Sequence, residues 1–527
     1  MNVYKLISFS LYFAFVLGVG IYFFVKHKDK GEKDYFLGGR NMGGWVSALS
    51  AGASDMSAWV LMGLPGAIFI SGVSEVWISI GLLTGTICAW VFVAPRLRRF
   101  AIKANDSITI PEFLSNRFKA TSPVLRISCA VIFIIGYLVY AASSVYACGE
   151  LLHLLIPALP QWVATIIAAA VILVYTLLGG FRAVSWTDFF QGMLMLGALM
   201  LVPIVMLIVL KTSGAVEGAN VITAEHYFSL LKYNESGNVD VWNSIANILT
   251  GFGWGLGYFG MPHILVRYMA IKSEREVKKS RIIGISWTAL ILTMTTVLAL
   301  VAHEYLGDTL VKADKNQVFV RVVDHLFTPY GALALISGLL ISAIVAASMS
   351  TADSQLLASS SAFSSDFYKT TIKKNASNKE LLWVGRISVI ALTVLATGLA
   401  IVVYFAKIDG IMSLVSAAWS IFGAAFGPVV LLALFWKRFN FKGAVASIIT
   451  GFAVSILWMV LFNLEYYGFD SVIFNTSLYE LVPGFIVGLI VGIVVSLCTK
   501  KPSKEVEELF DSVGKCVETE EKIAVAK

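Results

Sequence analysis

The sequence predicts an all-α polytopic membrane protein, and three observations carry that reading. The chain of 527 residues is 58% hydrophobic and only 14% charged, with a mean hydropathy of +0.80. Apolar runs of about 20 residues, long enough to cross roughly 30 Å of hydrocarbon, recur from end to end between short polar breaks, and thirteen spans are expected. Lys and Arg alternate in density from break to break. With the N-terminus outside, the segments 26–40, 96–126, 179–187, 267–281, 366–386, 437–442 and 500–527 hold 33 of the 40 basic residues.

That distribution gives the net charge of +7 its meaning. Basic residues gathered in short loops mark the cytoplasmic face, so the charge reports topology and argues against a nucleic-acid partner. An odd number of spans places the C-terminus inside. No gap between spans is long enough for a sizeable soluble domain. The five cysteines, Cys88, Cys129, Cys148, Cys498 and Cys516, lie in spans or the inner tail and imply no disulfide framework.

In chain order, Met1 to Val25 resembles a signal peptide in having Lys5 before an apolar core. No small-residue cleavage pattern follows, and KHKDKGEK is a cytoplasmic stop, so an uncleaved first span is expected. Arg40, in FLGGR, is either an inner anchor or a residue lining the inner mouth of an ion path.

Ser47 to Gly66 reads as membrane-buried yet holds Ser50, Gly52, Ser54, Asp55 and Ser57 in its middle. An ionised Asp at the centre of a span costs roughly 2.5 to 3.5 kcal/mol, so it is kept for an ion, a proton or a polar cavity. Unwound backbone at membrane depth is tolerated where it lines a cavity, and its freed carbonyls can hold a cation. A discontinuous helix forming an ion and solute site is therefore expected here.

The segment TIPEFLSNRF reads as a short amphipathic helix at the inner surface. Tyr140 lies mid-span, where a phenolic hydroxyl needs a partner or a cavity. In YTLLGGFRAVSWTDFFQ two spans meet at a tight inner turn. Asp188 opens the second, either as a helix cap with Thr187 or as a second cation position near the cytoplasmic exit. The stretch 211–240 is an irregular outer loop with a short helix.

Trp242 to Tyr268 holds five glycines between Gly251 and Gly260, then Pro262. This is costly in an unbroken helix and marks a second interrupted span. Trp254, Tyr258 and Pro262 recur every four residues and would share one face. The glycines around them suggest a surface that another molecule approaches closely. In SGLLISAIVAASMSTADSQLL, Ala347, Ser350 and Thr351 fall at i, i+3 and i+4 and point one way.

Setting the first span aside, two sets of five helices remain, inverted in the membrane, each opening on an interrupted helix. Such pairing is the strongest sequence pointer to a transporter site at the midplane. The expected organisation is 1–44, first span and inner loop; 45–210, first repeat; 211–436, outer loop and second repeat; 437–499, two added helices; 500–527, cytoplasmic tail. Carbonyls of Ala53, Met56 and Ala347 with the hydroxyls of Ser350 and Thr351 offer hard, mostly neutral oxygens, which suits an alkali cation, Na+. Asp55 adds negative potential or supports the unwound segment. A proton site centred on Asp55 is the alternative.

The motifs DYFLGGR, SALSAGASDMSAWVLMGLPGA, LGGFRAVSWTDFFQ, GWGLGYFGMPHILVRYMA, MSTADSQLL and GAAFGPVVL resemble those of the sodium/solute symporter family from about Asp34 onward, and in particular its bacterial sodium/proline branch. The resemblance implies a LeuT-like five-plus-five fold in a bacterial cytoplasmic membrane. It implies a sodium site at Ala53, Met56, Ala347, Ser350 and Thr351, with Asp55 needed for coupling and Arg40 and Asp188 influencing it. It also implies that L-proline is bound by Ser57, Tyr140, Trp254, Tyr258 and Pro262. Ala58, where a Gly is familiar, and Asp353, where some members have a hydroxyl, depart from the pattern. The resulting expectation is Na+/proline symport by alternating access, with no obligatory protein partner and no enzymatic nucleophile and base. The rivals are another small amino or organic acid as solute, proton coupling, or a membrane sensor on the same fold.

Overall fold

In the computed structural model, which describes residues 3–26, 32–216, 225–310, 312–408 and 410–525, every long element is helical. Residues 27–31 of the expected cytoplasmic stop and 217–224 of the expected outer loop lie outside the described residues. The helices are α1 Val3–Lys26, α2 Gly44–Asp55, α3 Leu64–Ser71, α4 Val73–Lys103, α5 Ile110–Arg117, α6 Val124–Leu155 and α7 Gln161–Ser213. Then come α8 Val241–Leu256, α9 Pro262–Ala270, α10 Glu274–Leu306, α11 Val318–Phe327, α12 Ala334–Ser361 and α13 Asn378–Phe405. The chain closes with α14 Met412–Phe435, α15 Phe441–Phe462, α16 Leu481–Cys498 and α17 Lys504–Val525.

Among the described residues nine helices are long and apolar enough to span a membrane, or ten if the bent pair Gly44–Asp55 and Trp59–Ser71 is one span. Reaching the expected thirteen also requires the shorter apolar helices Val3–Val19 and Gln161–Val174 and the interrupted pair α8 and α9.

Both expected interruptions are present, and local chemistry explains each. The first bends the chain by 63° between α2 and α3. Helical geometry stops at Met56, whose ψ is 84°, and the Met56 amide caps α2 by donating to the Gly52 carbonyl. Beyond it Trp59–Gly63 forms a wide π-type turn that runs on into α3, and Pro65, which has no N–H to give the preceding turn, leaves the Val60 carbonyl to accept from Thr295 Oγ1 at 3.3 Å. The second interruption runs through a tight 3-10 turn at Gly257–Phe259, and Pro262 restarts the helix as α9. A short bridge joins the start of the first broken span to the end of the second: the Met42 amide donates to the Ala270 carbonyl at 3.2 Å, and the Lys272 amide to the Met42 carbonyl at 3.1 Å.

The centre of the bundle is α12. Every residue from Leu340 to Leu357 is buried, as the helix packs against α7, α6 and α1, with α2 crossing it. A helix buried all round needs small and hydroxylated residues so that its neighbours can approach, which is what its Ala and Ser content supplies.

Four expectations change. The glycines of α8 do not wait for another molecule. A side chain at Gly251 would meet the backbone of Trp77, one at Gly255 that of Gly81, and one at Gly257 the ring of Trp419. They let α8 cross α4 and α14 at close range. Asp188 does not open a helix: the kink lies at Gly180, whose φ of 58° suits glycine, so Asp188 sits two turns further on. Thr187 donates to the Ala183 and Val184 carbonyls as a mid-helix residue. Helix α5 does not lie on the surface: all but two of its eight residues are buried. Arg98, Arg117 and Arg267, counted with the inner loops, are buried as well.

Candidate functional site

The break after α2 is organised around Asp55. Its backbone carbonyl accepts from the Ser57 amide at 3.1 Å, from Trp59 Nε1 at 3.2 Å and from the Tyr140 hydroxyl at 3.2 Å. Its side chain accepts a 2.5 Å hydrogen bond at Oδ2 from the Tyr258 hydroxyl, which belongs to the second interruption. Its Oδ1 is buried with no hydrogen-bond partner. Asp55 thereby ties the two broken helices to each other and to α6.

Two residues before Asp55, the Ala53 carbonyl faces α12. Ser350 Oγ donates to it at 2.7 Å and to the Ala347 carbonyl at 3.0 Å. Thr351 Oγ1 lies 3.0 Å from the Ala347 carbonyl and 3.5 Å from that of Ala53. Two carbonyls and two hydroxyls thus converge, all fully buried, and Met56 is buried at the break itself. The hydroxyls now donate to the carbonyls. Rotation about Cβ–O would turn their lone pairs inward, presenting oxygens only. Among the described residues no cluster of His, Cys, Asp and Glu could hold a metal, so this neutral, hard set fits an alkali ion and not a transition metal.

The aromatic residues expected around proline separate. Ser57, Tyr140 and Tyr258 gather at Asp55. Trp254 lies elsewhere, its ring 6.4 Å from that of Trp59 and stacked 5.1 Å from that of Tyr479. It lines an open vestibule of about 730 Å³ together with Gly63, Met412, Ser416 and Tyr479. Pro262 instead lines a separate cavity of about 30 Å³, room for a single water, with His263, Arg267 and Ser354. The shared face expected from four-residue spacing fails because the helix is broken between Tyr258 and Pro262. Ala58 is helical and buried at the entry to the π turn, and Asp353 accepts from Ser354 at 3.3 Å, one turn from the oxygen set.

Arg40 and Asp188 each hold a charge partner. Arg40 donates to Asp106 at 2.8 Å, to the Met269 carbonyl at 2.6 Å and to the Ser107 carbonyl, bracing the ends of both broken spans. Asp106 also pairs with Lys33. Burial alone would raise the Asp106 carboxyl, but the hydrogen bonds from Lys33 and Arg40 outweigh it and hold the group below its ordinary value of 3.8. Asp188 is fully buried and pairs with Arg267 at 2.8 Å. Sequence reasoning missed Arg267, Trp59, Trp419 and Tyr479. Arg267 looked like a loop cation, and the aromatic partners of Trp254 come from helices far along the chain.

The family model described as the sodium:solute symporter family matches residues 35–451. The chain belongs to that family. Among its relatives within this symporter family, the high-affinity proline transporter PutP of Bacillus subtilis is 41% identical over 93% of this chain and 97% of its own length. The osmoregulated proline transporter OpuE of the same organism is 39% identical over 97% and 98%. The sodium/proline symporter of Escherichia coli is 38% identical over 96% and 95%. A solved Na+-coupled sialic acid symporter aligns with a TM-score of 0.73 at 20% identity, over 95% of this chain and 99% of that one. MhsT aligns at 0.51 and 12% identity, over 86% and 97%. At those identities the likeness concerns the fold, an all-α polytopic membrane protein of the LeuT-like kind.

Proposed function

We propose that this symporter carries L-proline inward across a bacterial cytoplasmic membrane, coupled to Na+, by alternating access. The observation that carries the reading is the junction at Asp55. The oxygen set at Ala53, Ala347, Ser350 and Thr351 lies two residues before it, and Ser57, Tyr140 and Tyr258 meet on it. Relatives about 40% identical over nearly the whole chain, named for proline or sodium/proline transport, support the choice of solute and ion.

In this reading Na+ is held by the Ala53, Met56 and Ala347 carbonyls with the Ser350 and Thr351 hydroxyls, and supplies positive charge that fixes the unwound segment against α12. Ordering that segment sets the Ser57 amide region, Tyr140 and Tyr258 for the solute, while Trp254 closes over it from the vestibule. Pro262 acts from the inner side, at the exit. Each ligand lowers the ordering cost met by the other, which makes coupling reciprocal. One inward charge gains roughly 2.3 kcal/mol per 100 mV, enough for more than tenfold accumulation. Asp55 carries coupling, Arg40 braces the inner mouth, and Asp188 influences coupling through Arg267. The N-terminus lies outside and the C-terminus inside, with thirteen spans divided at 45, 211, 437 and 500. Neither nucleic acid nor an obligatory protein partner takes part.

The test is uptake of labelled proline by the purified full chain in proteoliposomes. Accumulation is expected with an inward Na+ gradient and not with a proton gradient alone. Uptake driven by protons alone would reverse the choice of ion. Preference for another small amino or organic acid in competition would reverse the choice of solute.

A further inference from the structure

We propose that Tyr479, brought in by the loop between α15 and α16, is a positioning residue for the solute: it holds the Trp254 ring in the orientation in which that ring meets a cyclic amino acid. The proposal rests on the sodium-coupled proline reading above and names a specificity determinant within it.

Trp254 cannot be set by its own helix. A helical side chain lies down over the residues three and four places before it, and for Trp254 these are Gly251, which has no side chain, and Thr250. Gly253, Gly255 and Gly257 leave the other near positions bare as well. The ring is therefore fixed from outside. Trp59 and Trp419 approach it at 6.4 and 6.1 Å, both tilted by more than 30°, and Trp419 Nε1 donates to the Trp254 carbonyl at 2.8 Å. Tyr479 is nearer and more nearly parallel, at 5.1 Å with 18° between the planes. It also lines the vestibule beside Trp254, so it bears on the indole where a solute would arrive.

Tyr479 is itself held from several directions. Its hydroxyl donates to the Ser416 carbonyl of α14 at 2.8 Å, and its amide to Thr250 Oγ1 of α8 at 3.1 Å. Trp242 Nε1, also on α8, donates to the Thr476 carbonyl at 3.2 Å. Ser477 bends the loop with a φ of 56°, a left-handed conformation that costs a residue with a side chain. Glu480 is fully buried and accepts from the Tyr467 hydroxyl at 2.6 Å and from Asn463 Nδ2 at 2.8 Å. The start of α16 is seated against α8 and α14 through glycines: a Cβ on Gly253 would come within 2.6 Å of Val482, and one on Gly423 within 2.6 Å of Leu481. The loop is thus fastened to the helix that carries Trp254 and to the opposite partner of the stack. A five-membered ring with a secondary ammonium packs well on an aromatic face, but only if that face is already turned toward it. An open-chain amino acid gains less from the same face.

Uptake of labelled proline by the purified full chain in proteoliposomes, compared among wild type, Y479A and Y479F, tests this. Y479A is expected to raise the proline KM about tenfold, the scale of a lost stacked pair, with the maximal rate within about twofold of wild type. Its preference for proline over L-alanine in competition should fall by the same factor, while equilibrium binding of radioactive Na+ in the absence of proline stays unchanged. Y479F keeps the ring and loses only the hydrogen bond to Ser416, so it should bring KM back to within about threefold of wild type. A folded Y479A with unchanged proline KM overturns the proposal, as does one that loses maximal rate and Na+ binding at constant KM, or a Y479F no better than Y479A. Should Y479A fail to fold, Y479L, which keeps bulk without the ring, carries the same expected shift; failure of both to fold while Y479F folds assigns Tyr479 to the fold alone and overturns the proposal. A wild type that carries another small acid in place of proline would defeat the choice of solute above and leave this proposal readable, as the same KM shift measured on that acid.

Discussion

At Asp55 a single residue joins three elements. Its carbonyl takes hydrogen bonds from the segment that follows and from Tyr140 on α6, and its carboxylate takes one from Tyr258 across the second break. Removing the Tyr258 hydroxyl strands a buried carboxylate, at a cost of about 1–3 kcal/mol. Y258F is therefore expected to weaken apparent affinity for both Na+ and proline about 10- to 100-fold, seen in uptake titrated against each. Unchanged half-saturation for both would sink the role given to this contact. On α12, S350A and T351A each delete one oxygen of the neutral set. Each should raise the Na+ concentration for half-maximal uptake about tenfold, from about 1.4 kcal/mol per charge-assisted ligand lost, with proline KM recovering at saturating Na+. Ser350 and Thr351 were legible in the sequence because their geometry is set within one helical turn. Arg267 was not, since its partners Ser50, Asp188 and Ser354 come from three other helices.

Helices here are placed by what they leave out. Where α4 crosses α8, a Cβ on Gly85 would come within 2.6 Å of the Gly255 Cα, so G85A must push the two helices apart. Overpacking of that kind costs about 1–3 kcal/mol, and a lower midpoint of thermal unfolding in detergent is the expected readout. An unchanged midpoint would mean that the crossing yields more easily than its geometry implies. Helix α17 docks through Phe510, whose ring meets Phe100 and lies under the guanidinium groups of Arg96 and Arg117, and through buried Val506 and Val513. F510A should loosen this helix by about 2 kcal/mol, which corresponds to about 30-fold faster proteolysis near Ser503 if cleavage requires undocking. The brace at Arg40 adds a pH statement. Because Asp106 titrates below 3.8 in the folded chain, its contribution is complete above that value and is lost only as the pH falls through the depressed folded value. D106N should thus weaken Na+-driven uptake equally at pH 6 and pH 8. A difference between the two would assign the titrating group elsewhere.

Taken whole, the molecule has a wide vestibule beside Trp254 and a cavity of water size beside Pro262 and Arg267. Alternating access then predicts that a cysteine at Asn247, on the vestibule wall, reacts with a membrane-impermeant thiol reagent from outside. The reaction should slow severalfold when Na+ and proline are present together, and much less with either alone. Equal rates under all conditions would argue against a joint closing step.

What the sequence determined by itself is the part of the protein set by short-range physics. Apolar runs must become helices because hydrocarbon satisfies no backbone group, and Gly, Pro and Asp inside two of those runs must interrupt them. Hydroxyls three and four residues apart must share a face. Tertiary structure decided which of these groups meet. It gave the glycines of α8 to neighbouring helices, put Trp254 and Pro262 on opposite sides of a break, and moved Arg267 from a supposed loop into a buried pair with Asp188. The reason is that a charge or a ring buried at membrane depth takes its partner from whichever helix packing brings alongside, and spacing along the chain carries no record of that.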